Sequence, residues 1–465
     1  MKLTYGVKDK PKFGQLIVFA LQQILAIMAA TIVVPVLINS NAGLTGDAAM
    51  SQSAALFGAG VGTIVYLLFT KFRSPVFLGS SFAFIGSMTA AFAGAVGNYA
   101  LGYLGLIIGA VFAGLVYVVF AIIVKLAGVK WIAKLMPAVV IGPTVALIGL
   151  SLAGAAIKDV FSYGPQDGDG NFIMSTRIWI SVICALVTLL VVVITSTYGK
   201  KIAKLIPFII GIGAGYLTAL VFTLIGDATG NADLVVINFA PLKALVDGGV
   251  SLKTFVALPD FTFLKAFDGV GSFNASYLAT VAVAYIPVAF VVFAEHIADH
   301  KNLSSIIESD LLEDPGLHRT LLGDGIGSVA GAFFGGCPNT TYGESVGCVA
   351  ITGNASIVTI LAAAIGCILI SFLSPFVAFL STIPGCVMGG VCVTLYGFIA
   401  VSGLKMIQKV DLEDNANLFT VSSILIPGIG GMAMSIGKVT ITAVACSLIL
   451  GIIVNLVLHR KKSEE

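Results

Sequence analysis

Charge is scarce in this chain. Charged residues make up 10% of its 465 positions, against roughly 25% in an ordinary soluble domain. With 58% hydrophobic residues, that scarcity excludes a disordered chain and argues strongly against a soluble globular one. A net charge of +2 and the lack of any basic patch interleaved with aromatics exclude a nucleic-acid binder. The cysteines, Cys184, Cys337, Cys348, Cys367, Cys386, Cys392 and Cys446, all fall in apolar stretches. None forms a CxxC pair, so neither a zinc site nor a disulfide framework is indicated. No GxxxxGK[ST] motif exists. Gly437-Lys438 is followed by valine, and Gly211-x-Gly213-x-Gly215 lies inside an apolar run as a packing feature. The chain therefore shows no ATP-driven engine and no cofactor motif. It also offers no nucleophile–base set that would make it an enzyme.

What is abundant is apolar sequence and glycine, 53 residues of it, as in membrane helices that pack closely. Apolar runs predict spans at 15–38, 53–70, 76–97, 101–124, 136–157, 178–197, 205–225, 277–299, 317–335, 340–353, 356–379, 383–403, 416–433 and 437–458. Fourteen spans at about 20 residues each suit this length. The run from Leu16 to Leu37 is too long for a cleaved leader and reads as the first span.

Charge placement gives the orientation. With a cytoplasmic N-terminus, the inside holds Lys2, Lys8, Lys10, Lys12, Lys71, Arg73, Lys125, Lys130, Lys134, Lys200, Lys201, Lys204, Lys301, Arg319, Lys405, Lys409, Arg460, Lys461 and Lys462. The outside holds Lys158, Arg177, Lys243, Lys253, Lys265 and Lys438. An excess of basic residues marks the cytoplasmic side, so both termini are expected inside a plasma membrane crossed many times. The longest breaks, 158–177 and 226–276, fall outside, and the second leaves open short strands or an amphipathic surface piece.

A faint repeat is present. Pro137-x-x-Val140-x-Gly142 recurs as Pro384-x-x-Val387-x-Gly389, 247 residues later. The polar, glycine-bearing openings of spans three and ten, FLGSSFAFIGS and CPNTTYGESVG, stand at a similar offset. Seven spans separate each pair. The second copy is therefore inverted, which points to a secondary transporter with interrupted helices and a site near mid-membrane.

Four acids lie at membrane depth: Glu295, Asp299, Asp324 and Glu344. A carboxylate there costs at least about 2.5 kcal/mol, so such groups usually line a cavity and carry function. Glu295 and Asp299, at the end of span eight, are four apart and share a helix face. Asp324, in GDGIGSVAG, reads as a helix-pairing residue. His296 and His300 flank the acidic pair, but no third ligand has metal-site spacing, so no metal is expected. In span ten, Pro338 and Gly343 interrupt regular helix, and irregular backbone at this depth survives only where it lines a cavity or is buried in protein. A half-helix starting at Gly343 or Glu344 would aim its free N–H groups into that cavity.

Together LGSSFAFI (78–85), VVFAEHIADH (291–300), DPGLHRTLLGDGIGSVAGAFFGG (314–336), PNTTYGESVG (338–347) and IPGCVMGGV (383–391) resemble the nucleobase–ascorbate transporter family. The likeness covers nearly the whole chain. It implies an all-α polytopic membrane protein with fourteen segments in two inverted repeats of seven and short strands in segments three and ten. It further implies a core domain of segments 1–4 and 8–11 (1–135 and 277–379) and a gate domain of segments 5–7 and 12–14 (136–225 and 380–465). The loop 226–276 would be extracytoplasmic. By the resemblance, Glu295 and Glu344 bind the base and Phe82 stacks on it. Backbone amides at Phe82 and Gly343 contact its carbonyls, Tyr342 supports the pocket, and Glu295, Asp299 and Glu344 couple the proton. The implied activity is import of uracil with protons by a homodimer held in membrane lipid, with core rocking against gate.

Three departures from the family pattern stand out. Ser345 replaces an asparagine, Gly353 replaces an arginine, and Gln22-Gln23 replaces a Gln-His pair. Asp299 stands where the uracil carriers of the family have histidine. That residue favours the alternative of a purine (xanthine or urate) proton symporter. An inorganic-anion carrier of related fold is a more distant alternative, disfavoured by two glutamates in the core.

Overall fold

The computed structural model describes residues 3–128, 137–200, 202–436 and 439–460. Lys2, Lys130, Lys134, Lys201, Lys438, Lys461 and Lys462, used above for orientation, lie outside the described residues, as does Met136 at the predicted start of span five.

Fourteen segments follow in order. The first half holds α1 (Phe13–Ala42), α2 (Gln52–Phe69), β1 (Leu78–Ser80) leading into α3 (Ile85–Gly94), α4 (Tyr99–Ala127), the pair α5 (Ala138–Ser151) and α6 (Ala153–Val160), α7 (Thr176–Tyr198) and α8 (Pro207–Thr229). The second half holds α9 (Ala275–Ile307), α10 (Leu317–Gly335), β2 (Asn339–Thr341) leading into α11 (Gly343–Thr352), α12 (Ile357–Ser371), α13 (Gly385–Ile407), α14 (Asn415–Ile429), and β3 (Met434–Ile436) and β4 (Val439–Ile441) ahead of α15 (Ala443–Arg460). Among the described residues, eight helices are long and apolar enough to cross a membrane, and four more are shorter apolar helices. Side-chain caps set several starts: Ser51 accepts from Ala54 N–H, Asn98 from Leu101 N–H, Ser175 from Ile178 N–H and Asn274 from Tyr277 N–H. Each satisfies a donor that a helix start leaves without an intrahelical partner.

Three features differ from the sequence expectation. α9 runs on to Ile307, so Glu295 and Asp299 lie in the helix interior rather than at its end. Asn274 supplies a strong start, but no breaker follows Asp299 until the left-handed Glu308 closes the helix. The loop 226–276 resolves into short helices, including Ala240–Ala244, Leu252–Phe255 and Thr262–Phe267. A hairpin of β3 and β4, pairing Met434 with Ile441 and Ile436 with Val439, sits between segments thirteen and fourteen: β3 fills the break between the predicted spans, and β4 lies where span fourteen was expected to be helix.

The chain forms two compact units. One comprises Met1–Ser151, Pro259–Leu369 and Ile399–Glu465, and the other Leu152–Leu258 and Ile370–Phe398. The inverted repeat is visible inside each. In the first unit, a Cβ on Gly142 would stand 3.1 Å from Gly403 O and 2.9 Å from the Ile407 side chain. In the second, a Cβ on the repeat-related Gly389 would stand 2.6 Å from Val160 N. The start of segment five thus packs on the end of segment twelve, and the start of segment twelve on the end of segment five. That reciprocity is what a twofold-inverted pair produces. Also in the first unit, α2 lies backbone to backbone on α10: a Cβ on Gly58 would fall 2.6 Å from Gly331 O, and one on Gly335 would fall 2.6 Å from Ala54 O. This is the close small-residue packing of membrane helices.

Candidate functional site

All the predicted site residues fall in the first unit. β1 and β2 pair antiparallel, with Leu78 opposite Thr341, Gly79 opposite Thr340 and Ser80 opposite Asn339. The ladder continues on both sides: Ser81 N–H donates to Pro338 O at 2.9 Å and Tyr342 N–H to Phe77 O at 3.3 Å. Extended backbone is stable here because its groups are bonded and buried. Thr63 Oγ1 also receives Leu78 N–H at 2.9 Å, Asn339 Nδ2 donates to Gly58 O at 2.8 Å, and Ser328 Oγ donates to Asn339 O. Gly79 is dictated by its neighbour. A Cβ there would overlap the Tyr342 ring at 2.4 Å. The ring lies against Gly79, and its hydroxyl donates to Ser80 O at 2.7 Å. Tyr342 therefore locks the two strands together.

Each strand hands over at once to a helix start. After β1 comes a tight turn at Phe82–Phe84, then α3. After β2, α11 begins at Gly343 with Glu344 in its first turn, and Val346 N–H bonds to Tyr342 O at 3.2 Å. The first N–H groups of each half-helix precede its hydrogen-bonded ladder, and the positive end of the helix dipole favours negative charge there. Beside Gly343 there is open space: a Cβ would meet only Asp299 Oδ1, at 3.8 Å.

α9 runs past this crossing and packs on the Phe82–Phe84 turn, on β2 and on α11. Glu295 is solvent-accessible although its neighbours Ala294 and His296 are buried. One turn on, Asp299 is half-buried and accepts a hydrogen bond from Thr341 Oγ1 at 2.9 Å. Phe82 and Glu344 are half-buried, and Gly343 is open. The structure thus gathers Phe82, Glu295, Asp299, Tyr342, Gly343 and Glu344 around one strand crossing. The arrangement can hold a small planar polar ligand. It offers carboxylates as acceptors, helix-start amides as donors and an aromatic face.

His296 and His300 face the other way, into protein. His296 Nδ1 lies 2.6 Å from Asp324 Oδ2 and its Nε2 lies 3.0 Å from Thr320 Oγ1. His300 Nδ1 bonds His296 O at 2.7 Å, and its Nε2 meets the Tyr66 hydroxyl at 2.7 Å. Asp324 pairs α10 to α9, as its setting in a glycine-rich helix suggested. Sequence reasoning missed Gln23 and Thr341. Gln23 Nε2 donates to Ser345 Oγ, which also accepts Phe77 N–H at 3.0 Å. The signal for Gln23 was present as a buried amide in an aliphatic span.

Comparison with known proteins identifies the family and the fold. The chain is 38% identical over 460 residues to the uracil permease of Bacillus caldolyticus, covering 98% of this chain and 95% of that protein. It is 35% identical over 468 residues to the uracil permease of Bacillus subtilis (strain 168), covering 100% and 97%. It is 34% identical over 454 residues to the uracil permease of Escherichia coli (strain K12), covering 97% and 93%. Among solved structures, the transmembrane domain of the cyanobacterial bicarbonate transporter BicA superposes with a TM-score of 0.60 at 16% identity, covering 97% of this chain and 100% of that one. The murine solute carrier 26 family member A9 anion transporter, in its inward-facing state, superposes with a TM-score of 0.63 at 12% identity, covering 98% and 69%. These two share the fold of inverted seven-segment repeats. A model of the Permease family matches residues 14–437, so the chain, a multi-pass membrane protein, belongs to that family of transporters.

Proposed function

We propose that this permease imports uracil by proton symport across the plasma membrane, with both termini cytoplasmic. The observation that carries the reading is the β1–β2 strand crossing with the open Gly343 helix start beside the Asp299 carboxylate. Uracil is neutral and planar, with N–H donors and carbonyl acceptors along its edge. Glu295 and Glu344 accept the N–H groups, amides at Phe82 and Gly343 donate to the carbonyls, and Phe82 lies against the ring. The uracil permeases among the relatives support this choice of base.

A proton delivered to the cluster of Glu295, Asp299 and Glu344 relieves repulsion among three carboxylates, so proton and base binding favour each other. The drive is about 2.3 kcal/mol per charge per 100 mV plus about 1.4 kcal/mol per pH unit. At about 1.4 kcal/mol per decade these support a gradient of roughly several hundredfold. The division into core and gate segments that rock during transport belongs to the same proposal, as does a homodimer in lipid.

Asp299 favours a second reading, a purine such as xanthine or urate. Uptake of radiolabelled uracil, competed by xanthine, adenine and ascorbate with and without protonophore, separates the two. Saturable uracil uptake that protonophore abolishes is expected. Stronger competition by xanthine than by unlabelled uracil would reassign the base. Uptake that survives protonophore but collapses without sodium would reassign the ion.

A further inference from the structure

The residues ahead of α1 form an ordered strap over the far end of the site's half-helix. Thr4 and Tyr5 N–H groups donate to Gly353 O at 2.7 and 3.2 Å. Ala355 N–H returns a bond to Tyr5 O at 2.9 Å, and Ile357 N–H donates to Val7 O at 3.1 Å. Ser356 Oγ donates to Asp9 O at 2.6 Å. Tyr5 and Asn354 form a parallel bridge. The strap is anchored to α1 as well. The Tyr5 hydroxyl donates to Gln15 Oε1 at 2.6 Å, and its ring meets Phe19 edge-on at 6.0 Å.

Gly353 caps α11. Its N–H bonds to Val349 O at 2.9 Å, and its φ is +65°. A Cβ there would press on Thr4 at 3.2 Å from Oγ1 and 3.3 Å from N. This is where the family pattern has arginine. A side chain at 353 would meet the strap, so its absence here and the strap's presence fit together.

α11 is a single ten-residue helix, about 15 Å long at 1.5 Å per residue. Its first turn carries Glu344, and its last carbonyls lie under residues 4–9. A helix this short is a rigid lever, and it would be marginal without tertiary support. We propose that residues Thr4–Asp9 are a positioning element for substrate binding. By pinning the Gly353 cap of α11 they fix where the Glu344 carboxylate stands against the strand crossing. The inference rests on Glu344 being a ligand for the base.

The test measures equilibrium uracil binding and the melting temperature of the purified full-length protein. Four forms are compared: wild type, Thr4→Pro/Ser356→Ala, Glu344→Gln and the combination of all three. The strap variant removes one N–H donor and one hydroxyl donor and should weaken binding roughly three- to tenfold. In the Glu344→Gln background the same strap changes should add nothing, because the group they position no longer makes its bond. If Thr4→Pro also lowers the melting temperature, Ser356→Ala alone, which deletes a single hydroxyl, should still move affinity in the same direction. Unchanged affinity in the strap variants overturns the proposal. A strap loss that persists undiminished in the Glu344→Gln background also overturns it, because the strap then acts through another group. Wild-type affinity in Glu344→Gln itself instead removes the assignment of Glu344 on which the inference rests.

Discussion

Gln23 Nε2 donates to Ser345 Oγ, and both residues stand where this chain departs from the family pattern. The two departures are therefore one contact. The Ser345 hydroxyl also takes Phe77 N–H at 3.0 Å. It thereby ties α1, the entry to β1 and the residue after Glu344 into one buried node. Ser345→Ala leaves two donors without their acceptor at an estimated cost of about 1–3 kcal/mol. In a double-mutant cycle with Gln23→Leu, the two changes should be non-additive by about 0.5–3 kcal/mol in uracil binding. Strict additivity in binding isotherms would mean that the node does not shape the site.

Gly79 is the tightest point of the strand crossing. Gly79→Ala puts a methyl into the Tyr342 ring, at 2.4 Å before any relaxation. The ring cannot retreat without giving up its hydroxyl bond to Ser80 O. Overpacking of this kind costs about 1–3 kcal/mol. The variant should melt below wild type, and its binding should fall with the distorted half-helix starts. Tyr342→Phe in the same assay should be milder, because it removes only the hydroxyl. Wild-type melting of Gly79→Ala would show that the strands have room to part.

His296 and Asp324 are both fully buried, and their contact joins α9 to α10. Removing one partner of such a contact leaves a buried polar group unpaired and costs about 1–3 kcal/mol. Asp324→Ala should therefore melt well below wild type. Asp324→Asn can still hydrogen-bond His296 Nδ1 and should recover most of that loss. Equal melting of the Ala and Asn variants would show that the contact does not hold the helices together.

Much of this was legible in the sequence because local chemistry forced it. Pro338 and Gly343 interrupt a membrane helix, so the break in segment ten was readable from its own residues, while the strand within it came from the family resemblance. Glu295 and Asp299 shared a face by spacing alone. The contacts that complete the site were not readable, because they join residues far apart in the chain. Thr341 reaches Asp299, Gln23 reaches Ser345 and Thr4 reaches Gly353 only once the segments have packed. The helix end past Asp299 was missed for another reason. Polar residues after Asp299 resembled the edge of a membrane, while no proline or glycine marked a stop before Ile307. β4 was missed because its residues open the apolar run 437–458, which reads as helix.

A substitution at Asp299 tests whether recognition and coupling are separable. Its carboxylate takes a bond from Thr341 Oγ1 at 2.9 Å, so one oxygen is already engaged by protein. Asp299→Asn keeps the shape and an oxygen to accept that bond, but it removes one negative charge from the cluster. Uracil binding should change less than threefold, while gradient-driven accumulation in vesicles should drop towards equilibration. Abolished binding in a folded Asp299→Asn protein would move Asp299 into direct contact with the base.

Glu344 gives the sharpest test. It opens α11 beside the accessible Gly343, where the helix start favours a negative group. If the carboxylate accepts an N–H from the base, Glu344→Gln preserves volume but weakens a charge-assisted bond or turns a donor toward a donor. Leaving one buried donor unpaired costs about 1–3 kcal/mol, or roughly 5- to 150-fold in affinity at about 1.4 kcal/mol per decade. Glu344→Ala should be at least as damaging to binding. Both variants should fold, because removing a carboxylate from the interior lessens a desolvation cost. The measurement is equilibrium uracil binding alongside a thermal melt. A folded Glu344→Gln protein that binds uracil as wild type does would place Glu344 outside the site. Recognition of the base would then fall to Glu295 and the backbone amides alone.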